Sequence, residues 1–191
     1  ELESQMIARL EELVPQVDGV VVSDFVYGTV TKTLLKRLLE LSKKHKVKLF
    51  GDLQCSSQVG SILQLKGFNL ICPTEREARI ALGDNESGLE WLAQTLRKKT
   101  NTKELLIKMG NEGLIAYAKK NGKDMSRKQH FPALAVNPVD VTGAGDSLLA
   151  AMSVSTCAGA NLMEASAIGT CMAFIAVQNV GNSPIDKKLL H

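Results

Sequence analysis

The sequence predicts an α/β fold whose central sheet is mainly parallel. Short apolar runs rich in β-branched residues alternate with longer stretches that carry leucines and alanines at helical spacing. Several of the short runs end in a polar or turn residue, namely Asp24, Asp52, Pro73-Thr74 and Gly110, as strands do when a site lies at their C-terminal ends. A Gly143-Ala144-Gly145 turn then leads straight into an apolar helical stretch.

The elements follow in order. Leu2, Met6, Leu10 and Leu13 predict a first helix, broken by Asp18-Gly19. Val20-Val21-Val22 reads as a buried strand ending at Ser23-Asp24. Thr31 caps the next helix, with Leu34, Leu35, Leu38, Leu39 and Leu41 as its apolar stripe. Val47 to Phe50 is a strand ending at Gly51-Asp52; Ile62 to Leu65 is helical; Asn69 to Cys72 is a strand closed by Pro73. Thr74 and Glu77 have capping-box spacing for a helix that stops at Gly83, and another helix covers Leu89 to Lys99. Glu104 to Met109 and Leu114 to Ala118 are strands on either side of the Gly110-Asn111-Glu112-Gly113 turn. Asn121-Gly122 turns the chain into a third strand near Lys128 to Phe131. Two Ala-rich helices close the pattern, Ser147 to Ala158 and Leu162 to Val177.

Composition narrows the function classes. The 191 residues read as one domain, 1–191, with 45% hydrophobic and only 4% aromatic residues, so aliphatic packing dominates. A net charge of +3 is too mild to argue for nucleic acid, and the runs Lys43-Lys44-His45-Lys46 and Arg97-Lys98-Lys99 read as solvated helix ends. Cys55, Cys72, Cys157 and Cys171 form no C-x-x-C pair; they read as free thiols of a reducing compartment, buried as small hydrophobes. His45, His130 and His191 read as surface residues. Neither a signal peptide nor a bilayer-length apolar run is evident, so the expectation is a cytoplasmic protein that binds no membrane. Glu1 opens inside a helical pattern without an initiator Met, so a piece of something longer is expected.

Asp140-Val141-Thr142-Gly143-Ala144-Gly145-Asp146 carries the chemistry. A glycine turn at a helix start leaves backbone N–H groups unpaired, and the helix dipole adds partial positive charge, which suits an anion such as phosphate. A carboxylate beside such a site, Asp146, is a candidate general base.

This stretch, with Ser147-Leu148-Leu149-Ala150-Ala151-Met152 after it, resembles the C-terminal motif of the ribokinase-like (PfkB-type) carbohydrate kinases. Cys72-Pro73-Thr74-Glu75-Arg76-Glu77 resembles that family's Pro-Asn-x-x-Glu segment. Lys108-Met109-Gly110-Asn111-Glu112-Gly113 resembles its Thr-x-Gly-x-x-Gly nucleotide turn, and Val180-Gly181 its closing turn. The Ser23-Asp24 strand end and the element order look most like the kinase half of ADP-heptose synthases. The resemblance covers the C-terminal two thirds of a typical member and implies a three-layer α/β/α fold without its N-terminal part. It implies ATP, Mg²⁺, a monovalent cation such as K⁺, a sugar or sugar-phosphate substrate, and a homodimer in the full-length protein. By the same resemblance, Asp146 is the base and the N–H groups of Gly143, Ala144 and Gly145 hold the transferring phosphoryl group. The resemblance further implies that Lys108, Gly110, Gly113, Thr142 and Gly181 border the nucleotide, that Glu77, with Thr74, serves Mg²⁺ through water, and that Asp140 serves the monovalent cation.

Other readings stay open at this point. Asp146 can simply offset the helix dipole, Glu77 can be only a capping glutamate, and Asp24 and Asp52 can be turn residues. Lys108 can be a solvated strand-end lysine, and Gly110 and Gly113 can be hairpin glycines that touch nothing. Three departures from the family pattern stand out: Thr74 in place of Asn, Lys108 in place of Thr and Val141 in place of Thr. Thr74, Lys108 and the missing N-terminal third of the family fold leave room for a second function class, a catalytically silent nucleotide-binding or interaction module, and the Gly-Ala-Gly-Asp turn is shared by kinases of vitamin-like alcohols.

Overall fold

A computed structural model of the chain describes residues 1–54, 61–120, 123–135, 137–178 and 180–181. The Asn121-Gly122 turn, Cys55 and His191 lie outside the described residues. The elements run α1 (Leu2–Leu13), β1 (Gly19–Asp24), α2 (Lys32–His45), β2 (Lys48–Leu53), β3 (Leu70–Ile71), α3 (Glu75–Leu82), α4 (Leu89–Thr100), β4 (Glu104–Lys108), β5 (Leu114–Lys120), β6 (Lys123–Phe131), α5 (Ala144–Cys157) and α6 (Leu162–Ala176). The six strands form one sheet in sequence order. β1 to β4 are parallel, while β4–β5 and β5–β6 are antiparallel.

The period-two alternation of a strand divides the core into two layers. On one face, Leu49, Leu53, Ile71, Leu105 and Ile107 pack with Leu35, Leu38 and Leu41 of α2, Ala78 of α3 and Leu96 of α4. On the other, Phe50, Leu70, Leu106, Ala116 and Phe131 pack with Leu148, Leu149 and Met152 of α5 and Met163 and Ala165 of α6. Helices on both faces make the predicted three-layer α/β/α arrangement. Among the described residues no helix is long and apolar enough to cross a membrane.

Local signals work as their chemistry dictates. Thr31 Oγ1 accepts from Leu34 N at 3.1 Å, and Gly83 ends α3 in the left-handed region. Four expectations need correction. Residues 62–65 form only a short 3-10 turn, Ile62–Gln64. The third hairpin strand starts at Lys123 rather than near Lys128; its charged sequence, Lys123 to Lys128, hides the strand pattern of a sheet edge. Arg97 is buried instead of solvated, because left-handed Asn101 folds the chain back and Arg97 Nε donates to Thr102 O at 3.3 Å. Of the thiols, Cys72 is buried, but Cys157 is only half-buried and Cys171 is exposed on α6. Burial pushes the Cys72 thiol up, which leaves it inert.

Candidate active site

Helix α5 begins three residues earlier than its apolar pattern suggests, so the glycine turn is the helix start itself. Gly143 is the N-cap, left-handed at φ 77°, and Ala144, Gly145 and Asp146 form the first helical turn. Gly143 has no side chain with which to cap the helix. The first-turn N–H groups therefore lack the hydroxyl or carboxylate partner that most helix starts supply. Ala144 N makes a long bond of 3.3 Å to Val141 O, and Ser147 N donates to Gly143 O at 2.9 Å. Asp146 accepts a hydrogen bond from Ser23 Oγ at 3.0 Å.

The segment before the turn is clamped by Asp140. Its Oδ1 accepts from Thr142 N and its Oδ2 from Gly181 N, both at 2.9 Å. These backbone donors, Thr142 first, hold the Asp140 carboxyl below its usual range.

Under Gly145 lies an ion pair. Lys108, at the end of β4, is bound to Asp52 of β2, with side-chain exposures of 17% and 12%. A Cβ on residue 145 would stand 3.3 Å from Lys108 Nζ and 3.7 Å from Asp52 Oδ2. Lys108 is thus neither solvated nor turned to open space. Burial raises the Asp52 carboxyl, and Lys108 offsets part of that rise. On Lys108, burial works against the charge but Asp52 outweighs it, so the lysine stays protonated. Lys108→Met is expected to destabilise the chain by about 3 kcal/mol at pH 7, since a buried carboxylate then loses its counter-charge. The lone Asp52 carboxyl of that variant would titrate well above an unfolded aspartate. Its protonated form is favourable below about pH 3.9, and the variant loses stability as pH rises through the raised value. Urea unfolding at pH 4.5 and pH 7 measures this. A smaller deficit at pH 4.5 is the expected result, with most of the stability regained in the Asp52→Asn/Lys108→Met double variant.

Thr74 and Glu77 form a full capping box at the start of α3: Glu77 N donates to Thr74 Oγ1 at 3.2 Å, and Thr74 N to Glu77 Oε2 at 2.7 Å. Both also line the site, so the capping reading and a site role are compatible. The Gly110–Glu112 segment is a 3-10 turn closed by Gly113.

One cavity of about 740 Å³ joins these parts. Thr74, Glu77, Lys108, Gly110, Gly113, Thr142, Gly143, Ala144, Gly145 and Asp146 all line it. Asp140 and Gly181 do not line it; they bond to each other. Asp24 is directed elsewhere, as a buried structural carboxylate bound by Val26 N and Gln64 Nε2. Three features are not evident in the sequence: the Ser23–Asp146 contact, the Asp52–Lys108 pairing, and the apolar lining by Leu134, Pro138, Phe174 and Val177. Strand alternation was the available signal for Ser23, since it puts Ser23 and Asp24 on opposite faces of β1. The cavity lining combines the carboxylates of Asp52, Glu77 and Asp146 and the backbone of the α5 start with the apolar side chains of Leu134, Pro138, Phe174 and Val177. Among the described residues no group of three or more His, Cys, Asp or Glu side chains is placed to hold a metal ion by itself.

Comparison with known proteins agrees with this fold. The family described as pfkB family carbohydrate kinase matches residues 1–188. The bifunctional protein HldE of Syntrophotalea carbinolica is 28% identical over 177 residues, which cover 91% of this chain and 34% of that protein. HldE of Desulfatibacillum aliphaticivorans is 29% identical over 187 residues, covering 96% of this chain and 36% of that protein. The chain spans about a third of the length of these relatives. Escherichia coli phosphofructokinase-2, solved in complex with potassium, superposes with a TM-score of 0.75 at 18% identity, over 94% of this chain and 57% of that one. Arabidopsis thaliana ribokinase, complexed with ribose and ATP, gives 0.72 at 22% identity, over 91% of this chain and 54% of that one. At such identities these two structures establish the ribokinase-like fold.

Proposed function

The chain belongs to the pfkB family of carbohydrate kinases, and from that premise we propose that it is the nucleotide-binding and phosphoryl-transfer part of a sugar kinase. The reaction is transfer of the γ-phosphate of ATP to a hydroxyl of a sugar or sugar phosphate. The observation that carries this reading is the α5 start, where a carboxylate, Asp146, stands in the same turn as uncapped N–H groups at the wall of a large cavity.

The residues divide the work. Asp146 takes the proton of the acceptor hydroxyl as its oxygen attacks phosphorus, and ADP leaves. The N–H groups of the Gly143–Gly145 turn, with the dipole of α5 behind them, stabilise charge on the phosphoryl oxygens. Gly110, Gly113, Thr142 and Lys108 border the nucleotide, and Gly181 steadies that border through Asp140. The oxygen donors Glu77 and Thr74, both lining the cavity, suit Mg²⁺ that keeps water and phosphate ligands. When bound, Mg²⁺ supplies charge neutralisation of the phosphates. Asp140 retains acceptor capacity beyond its two N–H donors and would hold a monovalent cation such as K⁺.

A catalytically silent nucleotide-binding module is the second reading, favoured by the Lys108–Asp52 pair, which occupies a cation that phosphate would otherwise meet. One experiment separates the two. The longer protein that contains this chain is given ATP, Mg²⁺ and a panel of sugars and sugar phosphates, with ADP release and product mass as readouts. Acceptor-dependent ADP with a phosphorylated sugar is the expected outcome. Calorimetric ATP binding without transfer would favour the silent module, and neither binding nor transfer would overturn both.

A further inference from the structure

Asp146 has a partner that none of the roles above uses. Ser23 lies 123 residues earlier in the chain, on β1, and its Oγ donates to Asp146 Oδ1 at 3.0 Å. Ser23 is the register partner of Asp52 on β2, so both project from the same sheet face, toward α5. The strand end that carries Ser23 is fixed from its other face. Buried Asp24 accepts from Val26 N at 2.8 Å and from Gln64 Nε2 at 2.9 Å, and its carbonyl accepts from Gln54 N at 2.9 Å. Val26 is held at φ 61°, a conformation that a β-branched residue adopts only when its surroundings impose it.

We propose that Ser23 is a positioning residue for Asp146: it anchors Oδ1 and so presents Oδ2 to the acceptor hydroxyl. An aspartate on the first turn of a glycine-capped helix has a competing option. Its terminal torsion is broad, and its carboxylate can curl back onto the unpaired N–H groups of its own turn. That would disarm the base and block the anion site with a negative charge. The Ser23 hydroxyl donates from a rigid strand end and holds the carboxylate out of that arrangement. Alignment of the base is then set before substrate arrives, which is where transfer rates are most sensitive to small displacements.

This inference rests on the proposed role of Asp146 as general base. The test uses the longer protein, with Ser23→Ala, Ser23→Thr and Asp146→Asn assayed together for kcat and for the KM of ATP. Loss of one hydrogen bond to a charged group predicts a fall in kcat of about tenfold in Ser23→Ala, with the KM of ATP held within about twofold. Ser23→Thr keeps the hydroxyl and should hold kcat within about threefold of the parent. If Ser23→Ala keeps the parent kcat while Asp146→Asn is inactive, the positioning role is wrong and the base assignment stands. Equal losses in Ser23→Ala and Ser23→Thr would also overturn it, by pointing to packing rather than the hydroxyl. An active Asp146→Asn removes the base assignment, and this proposal with it.

Discussion

Asp146→Asn in the longer protein is expected to lower kcat for phosphoryl transfer by ~10²-fold or more, the usual loss when a general base is removed. Asn matches Asp in size, and its Oδ1 can still accept from Ser23, so the turn and its N–H groups keep their geometry. Only proton acceptance disappears. ATP affinity should hold or tighten, because a negative charge leaves the neighbourhood of the phosphates. Calorimetry with ATP and Mg²⁺ and a coupled ADP assay read the two quantities separately. A kcat that falls less than about tenfold shows that Asp146 is not the base, and the carboxylate then only offsets the dipole of α5.

Gly113→Ala is expected to destabilise the chain by about 4 kcal/mol or more, among the largest effects a single substitution has. Gly113 sits at φ 89° and ψ −129°, a region that L side chains strongly avoid. A Cβ there would lie 2.1 Å from Phe131 O and 2.6 Å from Ala133 N. Both are backbone atoms, one of them in β6, so no side chain can swing aside. Relief requires β5 and β6 to part or the turn to open, and Met109 N→Gly113 O at 2.8 Å closes that turn. The neighbouring glycine is the control. Gly110 also has positive φ, 62°, but a Cβ would meet nothing within 4 Å. Gly110→Ala should therefore cost only about 1 to 2 kcal/mol, the left-handed penalty alone. Urea unfolding of both variants decides the matter. Equal small losses would mean that the β5–β6 hairpin is loose enough to absorb a methyl group.

Much of the fold was legible because its signals are local. β-Branched runs, Thr31 and Thr74 as caps, and Gly83 as a helix stop each act within a few residues. The order of motifs likewise foretold that Thr74, Lys108, Gly110, Gly113 and Asp146 share a cavity, since strand ends gather at one rim. What stayed hidden depends on partners distant in sequence. Lys108 reads as a strand-end lysine until β2 brings Asp52 against it, 56 residues away along the chain. Ser23 looks like the neighbour of a more interesting aspartate until α5 docks on its face of the sheet. Arg97 belongs to a basic run, and only the fold-back at Asn101 buries it. The start of α5 was misplaced because Ala144, Gly145 and Asp146 lack the apolar periodicity that marks a helix.

The sequential order of β1 to β4 also divides the molecule by what it tolerates. Parallel strands send all their C-terminal ends to one rim and all their N-terminal ends to the other. Every lining residue at the end of a strand belongs to the first rim. The second rim holds connections such as the exposed left-handed turn at Lys46, which leads from α2 into β2. A tag, a reporter or an added domain grafted at Lys46 would therefore lengthen a loop on the far side of the sheet from the cavity. The protein offers an engineer a handle and a working end, separated by the full length of its strands.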